Sequence, residues 1–120
     1  MEKYVQELFG FIGRSPTAAH GVQAAREMLE AAGFQELREA QPWQLGPGGK
    51  YFVTRGLTSV MAFKYPGQDF KGFSIVASHS DSPCFKVKGS PEMRVDGQYT
   101  KLNTEVYGSA LLAPWFDRPL

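Results

Sequence analysis

The chain has 120 residues, of which 42% are hydrophobic and 21% charged, a composition that is typical of one soluble globular domain and excludes a disordered tail. Its 13 basic and 12 acidic residues are dispersed and give a formal net charge of +1, so we expect neither nucleic acid nor a membrane as partner. The single cysteine, Cys84, excludes an intrachain disulfide and a cysteine-based zinc site. Because there is also no signal-peptide pattern and no apolar run of membrane length, the sequence predicts a cytoplasmic protein.

Two amphipathic helices are predicted at the beginning of the chain. Apolar residues recur at helical spacing from Tyr4 to Ile12, which predicts a helix that ends near Gly13 and turns this stripe toward the core. Ser15-Pro16-Thr17 then supplies a capping residue and a proline suited to the start of a second helix, whose apolar face runs from Val22 to Ala32. Gly33 is suited to end it.

One histidine lies near the start of the second helix. His20 could contact a metal ion or a substrate, but no partner residue is visible nearby in the sequence. We therefore interpret it as a partly buried helix histidine.

A polar connection and two strands follow the helices. Pro and Gly residues interrupt Gln35 to Gly49, which predicts a surface connection that Trp43 packs down. Strand-forming residues at Tyr51–Thr54 and Ser59–Phe63 predict two adjacent antiparallel strands. A turn over 65–71, with Pro66 and Gly67, leads to the next element.

That next element is the most informative stretch of the sequence. Phe73 to Ala77 is predominantly apolar and predicts a short buried strand, after which the chemistry becomes polar. His79 and Asp81 would emerge at the carboxyl end of this strand, where α/β sheets hold their ligands. Their i, i+2 spacing points both side chains the same way in extended backbone, and a carboxylate so placed can orient the imidazole. Pro83 then stiffens the exit.

The last third is predicted to be β structure. Apolar and lysine residues alternate over 85–88, which predicts a strand with one solvated face. Asp96-Gly97 is a hairpin signal. Cys84 lacks an evident base that would make it a nucleophile, so we expect a small packed side chain.

The motif from Ala77 to Pro83 resembles that of the M18 family of zinc aminopeptidases, the aspartyl aminopeptidase group. The resemblance continues on both sides of the motif, in the same order as in the family, and covers nearly all of the chain. The other similar segments are Ser15–His20, Ala31–Phe34, Pro47–Arg55, Glu105–Gly108 and Trp115–Arg118.

Three predicted strands in a row after two helices indicate an α/β fold with a mixed β-sheet, and the resemblance implies that this sheet belongs to a zinc-peptidase catalytic domain. Residues 1–89 would be the N-terminal part of a zinc-peptidase catalytic domain, and residues 90–120 the beginning of an inserted β-rich dimerisation domain. Family members are several times longer and usually assemble into homo-oligomers. The chain ends on an apolar, aromatic stretch, so we expect it to be part of a longer protein.

The resemblance also implies the site chemistry. His79 would be a zinc ligand and Asp81 the catalytic-site carboxylate that orients it, in a site that holds two zinc ions and uses a Glu as general base. No further ligand motif can be recognised in the chain. Other carboxylates match no ligand pattern: Asp69, Glu92, Glu105 and Asp117.

The predicted function is therefore that of a metalloaminopeptidase that releases N-terminal residues, acidic ones included, from peptide substrates. Because only one ligand matches, we expect the 120 residues alone to be inactive. The alternative is a non-catalytic module for assembly or peptide binding, with apolar surface around Trp115 and Phe116 as its interface.

Overall fold

A computed structural model describes residues 2–116, which form two compact units divided after Asp81. The first unit contains the helices α1 (Glu2–Gly13) and α2 (Ala18–Ala31) and the strands β1 (Gln35–Glu36), β2 (Gly49–Arg55) and β3 (Ser59–Tyr65). The second contains β4 (Cys84–Val95), β5 (Tyr99–Tyr107) and a 3-10 turn over Ala113–Trp115. The predicted α/β class, with two helices before the sheet, is confirmed. The domain limits proposed from the family resemblance stay a prediction.

Local chemistry fixes both ends of α2. The Thr17 hydroxyl accepts a hydrogen bond from the backbone N–H of His20 at 3.4 Å, as an N-cap does. At the other end, Gly33 adopts a φ of +81°, a conformation that costs glycine little. The predicted helix and its stop are therefore confirmed.

The first unit has a mixed three-stranded sheet in the order β1-β2-β3. β1 runs parallel to β2, and β3 is antiparallel to it, with Phe52 opposite Ala62. The Phe52 side chain is completely buried, and α2 packs against the sheet. Trp43 stacks on Phe63 at a centroid distance of 6.1 Å, so the predicted packing of the preceding connection is confirmed. That connection also contains the two residues of β1, which the sequence did not predict.

The apolar stripe of α1 is not core in the described structure. Phe9 is 62% exposed and Tyr4 75% exposed, and no residue of α1 is buried. The predicted helix is correct, but the prediction that its stripe faces a core is wrong for the described residues. An amphipathic pattern specifies which face is apolar, whereas burial also requires another element to cover that face.

The predicted strand over Phe73–Ala77 is also wrong. Residues 71–79 have no regular structure, and the side chains of Ile75 and Val76 are 83% and 97% exposed. A strand needs a neighbour to complete its backbone hydrogen bonds, and within residues 2–116 none pairs with this segment.

The second unit is built on a β-hairpin. β4 and β5 pair antiparallel from Cys84 opposite Tyr107 to Val95 opposite Tyr99, with an irregularity between Val87 and Glu92. The predicted strand and hairpin are thus confirmed, and Asp96 has the positive φ of +48° that such turns require. Cys84, however, is exposed and not packed as predicted, because it lies at the end of a two-stranded ribbon.

Candidate functional site

His79 and Asp81 form a close pair, as their spacing predicted. The distance from His79 Nδ1 to Asp81 Oδ1 is 3.4 Å; the imidazole side chain is 93% exposed and the carboxylate side chain 33% exposed. A carboxylate beside Nδ1 favours the tautomer with its proton on that nitrogen, which leaves the Nε2 lone pair available to a metal ion. The pair is thus chemically suited to act as one ligand and its orienting partner.

The segment that carries the pair is attached to the rest of the first unit through Ser80. The Ser80 hydroxyl donates a hydrogen bond of 2.8 Å to the carbonyl oxygen of Thr58, in the turn between β2 and β3. The Ser80 carbonyl lies against Gly21 of α2, where an added Cβ would be 3.3 Å from its oxygen. No role for Ser80 or Gly21 could be predicted from the sequence. The Ser80 hydroxyl bonds to a backbone carbonyl, and Gly21 matters because two backbones come close there, and neither feature produces a recognisable motif.

His20 has a local partner that sequence reasoning missed. Its Nδ1 lies 2.8 Å from the Thr17 hydroxyl oxygen, within the same helix cap. The side chain is exposed, so the prediction of a partly buried histidine is wrong. The capping contact explains the ring position without a metal ion or substrate.

The donor types of the pair fit zinc, but their number does not complete a zinc site. Catalytic zinc usually takes three protein ligands, and residues 2–116 contain no group of three or more His, Cys, Asp or Glu side chains that could hold a metal ion. Glu105 lies opposite Lys86 in the hairpin, and Glu92 lies opposite Leu102. Asp117 lies outside the described residues. Residues 2–116 therefore present, at most, part of a metal centre.

Two shallow cavities of the first unit lie apart from the pair. One, of about 400 Å³, is lined by residues that include Asp69 and Phe70. The other, of about 340 Å³, has Trp43 and Met61 in its wall. Neither is lined by His79 or Asp81, and the imidazole of His79 is exposed to solvent.

Comparison with protein families gives the class to which this arrangement belongs. Residues 11–120 match the family described as "Aminopeptidase I zinc metalloprotease (M18)". The chain therefore belongs to the M18 family of metalloaminopeptidases, as its motif predicted.

Curated relatives carry the same family name. The chain is 42% identical to a probable M18 family aminopeptidase 2 of Clostridium novyi over 120 residues, covering 98% of this chain and 28% of the relative. It is 46% identical to the protein of that name in Ectopseudomonas mendocina, covering 99% of this chain and 28% of the relative. The chain thus spans a little over a quarter of the length of these relatives.

Solved structures agree in fold. The structure of Chaetomium thermophilum mApe1 matches with a TM-score of 0.82 and 34% identity, over 98% of this chain and 27% of that one. The yeast mApe1 dodecamer matches with a TM-score of 0.79 and 31% identity, over 98% of this chain and 28% of that one.

Among residues 2–116 of the present chain, no helix is long and apolar enough to cross a membrane.

Proposed function

We propose that this chain is part of a zinc-dependent aminopeptidase that releases N-terminal residues, acidic ones included, from peptides in the cytoplasm. The observation that carries the proposal is the close His79–Asp81 pair within a chain that matches the M18 family over residues 11–120. In this proposal His79 binds zinc through Nε2, and Asp81 holds the ring in the required tautomer and orientation.

The remaining parts of the site would come from other segments of the protein. One ligand is fewer than the three that a catalytic zinc usually takes, and the relatives are more than three times as long as the part that this chain covers. We infer a centre of two zinc ions, which would supply Lewis acidity toward water and toward the scissile carbonyl. His79 and Asp81 would supply one ligand and its orientation to that centre.

We also propose that the protein assembles as a homo-oligomer. Yeast mApe1 is described as a dodecamer, and apolar side chains of the β4–β5 hairpin are exposed here, among them Val87 (52%) and Leu102 (68%). Residues 90–120 would begin the β-rich domain through which subunits associate.

The test uses the protein expressed from its own gene, assayed on aminoacyl p-nitroanilides with and without a chelator. We expect chelator-sensitive hydrolysis that His79→Ala abolishes, because a ligand is lost. Asp81→Asn should lower kcat/KM by about 10- to 100-fold, since the ring loses its orienting carboxylate.

His20→Ala is the matched control, because it removes another exposed histidine whose described contact is only a helix cap. It should retain most of the activity. Hydrolysis that survives both the chelator and His79→Ala would contradict the proposal. Absence of all peptidase activity, with a defined oligomer, would favour the alternative of a non-catalytic assembly module, for which the exposed Phe116 (83%) is the kind of surface expected.

A further inference from the structure

Ser80, the residue between His79 and Asp81, is hydrogen-bonded to a neighbouring turn. Ser80 is exposed, yet its hydroxyl makes a hydrogen bond of 2.8 Å to the Thr58 carbonyl oxygen. Thr58 belongs to the turn between β2 and β3, whose strands pair over their full length. The hydrogen bond therefore connects the centre of the His-Ser-Asp segment to the β2–β3 hairpin.

A second contact reaches the same residue from α2. Gly21 is buried in the first half of this helix, and a Cβ built on it would lie 3.3 Å from the Ser80 carbonyl oxygen. This distance is shorter than most Cβ contacts, so any residue larger than glycine at position 21 would crowd the Ser80 carbonyl oxygen. Ser80 is thus hydrogen-bonded to the turn through its side chain, and its carbonyl oxygen lies close to the helix at Gly21.

We propose that Ser80 and Gly21 are positioning residues for the His79–Asp81 pair. Residues 71–79 have no regular structure, so hydrogen bonds to a neighbouring strand do not orient His79 and Asp81. Ser80 lies at a bend of the chain directly between the two members of the pair, so its anchorage fixes the backbone from which both side chains project. This inference rests on the proposed zinc-peptidase function and adds to it the two residues that fix the geometry of its first ligand.

The first test measures the zinc affinity of the protein encoded by the complete gene. The protein is equilibrated with a series of chelator concentrations, and the zinc that stays bound is determined. Ser80→Ala should weaken zinc retention about tenfold, the range found when groups that orient a metal ligand are removed. Ser80→Thr keeps the hydroxyl and should retain zinc nearly as well as the wild type. Ser74→Ala removes an exposed serine of the same irregular stretch and should change nothing.

The second test separates positioning from general stability. Alanine is favoured over glycine inside a helix, and Ser80 lies in an exposed segment without regular structure that can yield to the new methyl group, so Gly21→Ala should not lower the Tm of the zinc-free protein. Its new methyl group should nevertheless displace Ser80 and weaken zinc retention. Gly10→Ala in α1 is the matched control, because nothing lies within 4 Å of its Cβ position, and it should leave zinc retention unchanged.

The outcomes distinguish this inference from the function on which it rests. A wild-type protein that binds no zinc and hydrolyses no aminoacyl substrate would overturn both. A wild-type protein that binds zinc, together with Ser80→Ala and Gly21→Ala variants that retain it within twofold, would overturn the positioning role alone. Loss of zinc that merely parallels a fall in the Tm of the zinc-free protein would also overturn it.

Discussion

At the scale of single residues, Leu57 occupies a position that leucine disfavours. It lies in the turn between β2 and β3 with a φ of +64°, and its side chain is 78% exposed. The left-handed region costs an ordinary L-residue roughly 1–2 kcal/mol, and asparagine tolerates it better. Packing gives little compensation at this exposure, so the turn is held in place by the strands that flank it.

Leu57→Asn should therefore raise the free energy of unfolding by about 0.5–1 kcal/mol. Leu57→Val at the same position should lower it, because a β-branched residue is least compatible with positive φ. Urea titration of the 120-residue chain, followed by circular dichroism, measures both. Equal effects of the two substitutions would show that backbone conformation does not determine the stability of this turn.

The candidate site also shows what single residues reveal before a structure exists. His79 and Asp81 could be recognised as a pair from their i, i+2 spacing, although the strand expected to carry them is not found among the described residues. The Ser80 contact could not be predicted, since its acceptor is the carbonyl of Thr58 and every residue has a carbonyl. Backbone groups that hold a site leave no pattern in side-chain identity.

At the scale of elements, features with local causes were predictable and features with distant causes were not. The Asp96-Gly97 turn and the Gly33 helix stop follow from the conformations that these residues tolerate, and both are found. The run over 73–77 has the composition of a strand, but a strand also needs a partner, and no described strand provides one. The apolar stripe of α1 was likewise predicted to be core, but burial requires another element to cover it, and no residue of α1 is buried.

The difference between α1 and the sheet gives an element-scale prediction. Phe9 is 62% exposed, whereas Phe52 is completely buried. In the 120-residue chain, Phe9→Gln should change the free energy of unfolding by about 0.5 kcal/mol or less, as surface substitutions do. Phe52→Ala should lower it by about 3–5 kcal/mol, because it removes a buried ring and leaves a cavity.

Chemical denaturation of the two variants beside the wild type provides the comparison. The two phenylalanine positions serve as each other's control, because the same residue type is replaced in a helix and in a strand of one unit. A loss of several kcal/mol for Phe9→Gln would mean that the α1 stripe is covered in solution, contrary to the described structure.

At the scale of the whole molecule, the described residues have a small core and only part of the proposed metal site. The buried apolar side chains among residues 2–116 are Val22, Ala24, Tyr51 and Phe52, all in the first unit. The second unit has a two-stranded hairpin, an element that is marginally stable in water without further packing. Extensive exposed apolar surface and an incomplete set of metal ligands are both consistent with a chain that spans about 28% of its relatives.

The 120-residue chain on its own should therefore neither retain zinc through dialysis nor hydrolyse aminoacyl substrates. His79 supplies one ligand, two fewer than catalytic zinc usually requires, and its side chain is exposed to water that competes for the ion. Zinc content after dialysis and the rate of p-nitroanilide release measure the two properties, with the protein expressed from its own gene as the positive control. Chelator-sensitive turnover by the 120 residues alone would mean that they assemble a complete metal centre, and the proposal that other segments supply the missing ligands would then be wrong.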